Sequence, residues 1–143
     1  MKESLKEGLT FEFRYTVPEN KTVPYLYTEA EEFQVMSRVF ATGFMVGLFK
    51  WACIRAIKPY LNYPQEQTVG IHVNFSHTAA TPPGLTITVR GRLDKIRGRK
   101  LSFSIEAHDG IEKISEGAHD RFIIYSEKFN RKVEEKKRVS KTP

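Results

Sequence analysis

Cysteine is almost missing from this sequence. The single Cys53 in 143 residues excludes an internal disulfide framework. It sits in the most apolar stretch of the chain and reads as a buried, reduced thiol. Metal-ligand spacing is missing too: His72, His77, His108 and His119 are scattered, and nothing resembles a zinc motif. No apolar run follows the charged segment Met1–Lys6, so no secretory leader is visible and a cytoplasmic location is expected. The window Val39–Ile57 is apolar enough to raise the question of a membrane span, but it holds Thr42, Lys50, Arg55 and two glycines. A lysine near the middle of a span costs roughly 3 kcal/mol. A buried core helix is the better reading, and no membrane partner is expected. Internal repeats and linkers are absent as well, so residues 1–143 are read as one domain, with a charged C-terminal helix or tail from about residue 127.

What is present is a globular composition, 40% hydrophobic with ten Phe and six Tyr, and a net charge of +6. The positive charge invites an anionic partner. Much of it lies in the turn Lys95–Lys100 and in the tail from Arg131 to Lys141. The tail mixes in Glu134 and Glu135 and reads as a solvated helix end. Neither cluster interleaves aromatic residues that stack on bases, so no nucleic-acid partner is expected. The basic turn has two readings, a solvated surface or a steering patch for phosphates.

Hydropathy periods organise the chain. Phe11, Phe13 and Tyr15 alternate with polar residues in a strand over Leu9–Val17, which Pro18 ends. Residues Asn20–Met36 form an irregular connection. Ser37 is a plausible N-cap for a helix running to about Lys58, where Pro59 opposes continuation. Beyond it the period becomes two: Val69, Ile71, Val73 and Phe75 alternate with Gly70, His72, Asn74 and Ser76. Further strands follow after Pro82-Pro83-Gly84, after Arg97-Gly98-Arg99, and after the hairpin signal Asp109-Gly110. One strand, one apolar helix and four antiparallel strands pose a simple packing problem. A helix apolar nearly all round needs a curved sheet on one side and a second copy of the molecule on the remainder. The expected architecture is therefore α+β, a hot-dog fold with one long central helix wrapped by a curved antiparallel sheet; another helix-plus-meander arrangement is the alternative.

Four features on this scaffold carry chemistry. His77 shares the parity of Val73 and Phe75 and so projects toward the central helix, either as a core histidine bonded to backbone or as a sheltered site imidazole. Thr42 lies early in the helix, where its hydroxyl bonds back to a carbonyl or faces a ligand. Gly43 and Gly47 leave a strip without side chains, open to close packing or to ligand access. Lys50 lies on that strip, and an ammonium on an apolar face must snorkel to water, lose its proton or meet a negative group.

Residues VFATGFMVGLFKWACIRA from Val39, HTAATPPGLT from His77 and EAHDGIEKISEGAHDRFII from Glu106 resemble the fluoroacetyl-CoA thioesterase family, over about Leu9–Val133. The resemblance implies a hot-dog homodimer that hydrolyses short acyl-CoA thioesters with a Thr, a Glu and a His. No cofactor is implied, CoA being part of the substrate. Carried over by position, the threonine falls on Thr42 and the histidine on His77. Gly84 matches a glycine whose backbone contacts the thioester and CoA, Arg121 a substrate-site arginine, and Phe33 a lid phenylalanine. Two positions depart from the pattern. Lys50 stands where the family has its catalytic glutamate, and Met36 stands where the type enzyme has a second lid phenylalanine, so the aromatic pair of the fluorine pocket is incomplete. A protonated lysine is neither nucleophile nor base. His77 is then left as general base, with Thr42 and nearby N–H groups orienting the thioester and Glu29, Glu31 or Glu32 as substitute carboxylates. The implied function is an acyl-CoA thioesterase for a short or unidentified acyl group; the alternative is a non-catalytic acyl-CoA-binding or regulatory dimer.

Overall fold

The computed structural model describes residues 1–140. Lys141, the last residue of the basic tail, lies outside them. The strands are β1 (Thr10–Thr16), β2 (Glu66–Phe75), β3 (Thr86–Arg97), β4 (Lys100–His108) and β5 (Lys113–Tyr125). The helices are a short α1 (Glu31–Gln34), the central α2 (Thr42–Ile57) and a C-terminal α3 (Ser126–Ser140). The strands make one antiparallel sheet in the order β1-β3-β4-β5-β2. With α2 packed on its inner face, this is the expected α+β hot-dog architecture. No helix among the described residues is long and apolar enough to cross a membrane.

The core forms where α2 meets the sheet. Met45, Leu48, Phe49, Ala52, Cys53 and Ile57 turn one face of the helix inward, against Ile87, Val89, Leu93, Leu101, Phe103 and Ile123. The opposite face, Gly43, Gly47 and Trp51, stays open to solvent. It borders a cavity of about 210 Å³ lined also by Tyr15, Lys21, Phe40 and Phe44.

Three local expectations are corrected. The helix begins at Thr42 with Ala41 as N-cap, not at Ser37. The preceding residues are committed elsewhere: the Phe40 N–H donates to the Thr81 carbonyl (2.8 Å) and the Ala41 N–H to the Lys21 carbonyl (3.1 Å), while buried Phe40 bridges Thr22. The irregular connection contains 3-10 turns and α1. Finally, β2 does not keep one parity. A bulge between Gly70 and His72 inserts Ile71 into the ladder. The inward face therefore runs through Thr68 and Gly70 before the bulge, and through Val73 and Phe75 after it, opposite His119 and Gly117. Because side-chain direction alternates, one extra residue exchanges the faces, and Val69 points outward.

β2 is also a sheet edge. Ile71 and Val73 on it are 51% and 48% exposed, high for β-branched residues in a segment expected to be core.

Candidate active site

Two clusters of polar groups lie along α2. The first is at its N-terminus. Thr42 is the first helical residue, and its Oγ1 lies 2.7 Å from Nδ1 of His77, just past the end of β2. That bond is the only one His77 makes among the described residues, and its Nε2 is buried without a partner. Burial pushes the imidazole below its ordinary value, so it is neutral at pH 7. In the tautomer with the proton on Nε2, the Thr42 hydroxyl donates to Nδ1, and the ring is ready to accept that proton. No side chain caps the helix, and the N–H groups of Thr42, Gly43 and Phe44 have no acceptor among the described residues. They carry the positive end of the helix dipole beside the Thr42 hydroxyl.

The second cluster lies over Gly70, about 12 Å further along the helix, the length of eight residues at 1.5 Å each. A Cβ built on Gly70 would meet Cε1 of His119 at 3.0 Å, Cε of Lys50 at 3.1 Å and Nη1 of Arg121 at 3.4 Å. The glycine is what leaves room for these three groups to converge. Arg121 is only 2% exposed, and its guanidinium is held by neutral acceptors alone. Nε donates to Thr68 Oγ1 (2.8 Å), Nη2 to the Thr68 carbonyl (2.7 Å) and Nη1 to His119 Nε2 (3.1 Å). His119 in turn donates from Nδ1 to the His72 carbonyl (2.7 Å). Burial above all, with the charges of Arg121 and Lys50 adding to it, keeps His119 below its ordinary value and neutral. Cys53 faces the same cluster, but burial pushes its thiol up to about 12 and leaves it unreactive as a nucleophile.

The structure thus bonds Thr42 to His77, brings Lys50 and Arg121 together over Gly70, and sets the two pairs apart along one helix. Phe33 lies on α1 with its ring 6.1 Å from that of Tyr27. Met36, just after α1, is exposed. Gly84 takes a positive φ of +97° in the Pro-Pro-Gly turn, and its N–H is already given to the Val17 carbonyl (2.9 Å). Glu29, Glu31 and Glu32 are all exposed, and none bonds to His77. Leu26, from the segment before α1, lies across Gly43, where an added Cβ would meet its Cδ2 at 2.8 Å. Sequence reasoning missed His119, whose parity on β5 is that of the core. The signal that points to it is Gly70, an isolated glycine in a β-branched run, which marks a bulge or a close approach.

Comparisons with known proteins agree with this geometry. Residues 20–127 match the family described as fluoroacetyl-CoA-specific thioesterase. The chain is 50% identical over 136 residues to the fluoroacetyl-CoA thioesterase of Streptantibioticus cattleyicolor, covering 95% of this chain and 97% of that one. Among solved structures it is similar to a mutant of the fluoroacetyl-CoA-specific thioesterase FlK in complex with fluoroacetate and CoA. That match has a TM-score of 0.85 and 50% identity, over 87% of this chain and 99% of the other. A hot-dog-like protein from Thermanaerovibrio acidaminovorans shares the fold alone, with a TM-score of 0.76 at 15% identity over 91% of both chains.

Proposed function

The chain belongs to the fluoroacetyl-CoA-specific thioesterase family, and from that premise we propose that it is a cytoplasmic homodimer hydrolysing an acyl-CoA thioester. The observation that carries the reading is the 2.7 Å bond between Thr42 and a neutral, sheltered His77 at an uncapped helix N-terminus.

In this mechanism the thioester carbonyl lies against the free N–H groups of Thr42, Gly43 and Phe44, which stabilise the oxygen as it gains negative charge. A water attacks the carbonyl carbon. The Thr42 hydroxyl passes its proton to Nδ1 of His77 as it takes one from that water, so His77 is the terminal base. When the tetrahedral intermediate collapses, the C–S bond breaks and the imidazolium returns its proton to the CoA sulfur. The products are a free acid and CoA. Phe33 and Met36 belong to the lid segment over Gly43, and Gly84 to the turn on the CoA side.

The uncovered edge of β2 supports the dimer. Antiparallel pairing of two β2 strands about a two-fold axis near Val73 sets Gly70 of the partner subunit opposite Ser76. Such a pairing covers Ile71 and Val73. It also brings Lys50 of the partner subunit toward Thr42 and His77, so that each site draws on both copies.

The test is thiol release from a panel of acyl-CoAs. His77→Ala is expected to lower kcat/KM by about 100-fold or more, and Thr42→Ser to retain more activity than Thr42→Ala. One observation favours a second reading: Lys50 stands where the family carries its carboxylate. Tight CoA binding with no thiol release by the natural protein, and release gained in Lys50→Glu, would replace the hydrolase with a non-catalytic acyl-CoA-binding dimer.

A further inference from the structure

Lys50 and Arg121 form a pair of cations with no anionic partner among the described residues. Neither joins a salt bridge among the described residues. A guanidinium carries five N–H groups, and Arg121 uses three, all on neutral acceptors. Lys50 makes no hydrogen bond among those residues and adds the donors of an ammonium. His119 cannot serve as the counter-ion, because its Nδ1–H is given to a carbonyl and its Nε2 lone pair to Arg121. Over Gly70, which is exposed and bears no side chain, two cations with unspent donors therefore converge, so closely that an added Cβ would crowd them. Buried charge of one sign without a partner is costly, and an arrangement that keeps it is completed by an anion from outside.

We infer that the acyl group this protein takes carries a second, free carboxylate: the substrate class is the CoA monothioester of a short dicarboxylic acid. This rests on the acyl-CoA reading above and on the two-fold arrangement that brings Lys50 of one copy to Thr42 and His77 of the other. The thioester carbonyl sits at the helix N-terminus, and the acyl chain runs toward this pair of cations. There the terminal carboxylate bonds to the half-buried Lys50 ammonium, with the buried charge of Arg121 behind it. A carboxylate suits this position better than a phosphate of CoA does. It is small and planar, and the closely packed groups beside Gly70 leave little room for a bulky polyanion. The replacement of a carboxylate by Lys50 then changes which acyl groups are held. It converts a wall that repels an acyl carboxylate into one that binds it.

Binding and turnover are measured separately, so that the two readings fail separately. Two unreactive thioethers matched in length, S-(4-carboxybutyl)-CoA and S-pentyl-CoA, are titrated calorimetrically into the natural protein. Hydrolysis of glutaryl-CoA and pentanoyl-CoA is followed in parallel. The carboxylated thioether is expected to bind about ten-fold tighter or better. Lys50→Met should lose most of that preference, and Lys50→Arg, which keeps the charge, should retain it. Equal affinities for the two thioethers overturn the inference, even if pentanoyl-CoA is hydrolysed and the thioesterase reading stands. A carboxylate preference without turnover of either ester upholds the inference and removes the hydrolase. If Lys50→Met weakens free CoA as much as the carboxylated thioether, the cations serve the CoA phosphates and the inference is wrong.

Discussion

Replacing Lys50 by methionine should make the empty protein more stable. The substitution keeps the unbranched stem that packs along the helix and removes only the charge beside Arg121. Cε of Lys50 and Nη1 of Arg121 both lie within van der Waals reach of one point above Gly70. Like charges about 6 Å apart repel by roughly 3 kcal/mol at an effective dielectric of about 20, and by under 1 kcal/mol in water. Arg121 is buried and Lys50 half-buried, so the gain falls between these limits, about 1 to 2 kcal/mol. For a chain of this length that is a rise in Tm of roughly 3–6 °C. The same substitution removes one of the charges that hold His119 below its ordinary value. The His119 imidazole, followed by NMR, should then titrate at a higher pH. The assay is thermal unfolding of both proteins at low salt and near 1 M salt, where the Debye length shrinks to about 3 Å. The Tm gap should narrow at high salt. A Lys50→Met protein that melts at or below the natural one at low salt, or a gap indifferent to salt, would refute the reasoning.

Two further outcomes follow from other buried groups. His77 and His119 are both held neutral, below the ordinary value of 6.5, by burial. The unfolded chain therefore binds these protons first, and stability should fall as pH drops from about 6.5 toward the folded values; denaturant midpoints that do not change between pH 7.5 and pH 5.5 would contradict this. Asp109 is buried, yet the N–H groups of Glu112 and Ile111 and the Thr81 hydroxyl together outweigh that burial and hold its carboxyl below the ordinary range. Asp109→Ala leaves these donors empty and unties the Pro-Pro-Gly loop from the β4–β5 turn, so a loss of about 2–3 kcal/mol is expected in urea unfolding, and a loss under 0.5 kcal/mol would show that the tie is dispensable.

Legibility in the sequence differed by kind of feature. The strands and the central helix were readable because their periods repeat over many residues. The alternation in β3 and β4 survives almost unbroken, with Ile87, Val89, Leu101, Phe103 and Ile105 all buried. Single-residue events were not. The bulge at Ile71 leaves the polar–apolar alternation of β2 intact while exchanging its faces, so no period can reveal it. The start of α2 was misplaced because Ser37 looks like a cap, whereas the chain there is held straight by bonds to Lys21 and Thr81, distant partners that local sequence does not announce. The Thr42–His77 pair was legible through family resemblance rather than from parity alone, which favoured a core histidine. The cluster over Gly70 draws on α2, β2 and β5, and its members become neighbours only once the strand order β4-β5-β2 is known.

The uncovered edge of β2 has a consequence for handling the protein. From Thr68 to Phe75 the strand reads TVGIHVNF, eight residues without a charged side chain or a proline. Lys, Glu, Pro and inward charges are the usual gatekeepers of an edge, and this one has none of them. Such a segment is a template for any extended chain that meets it. In the dimer proposed above, variants that uncouple the two copies at this edge should therefore be lost to precipitation rather than recovered as soluble single chains. Poor expression of such a variant would then report on quaternary structure and not on the fold.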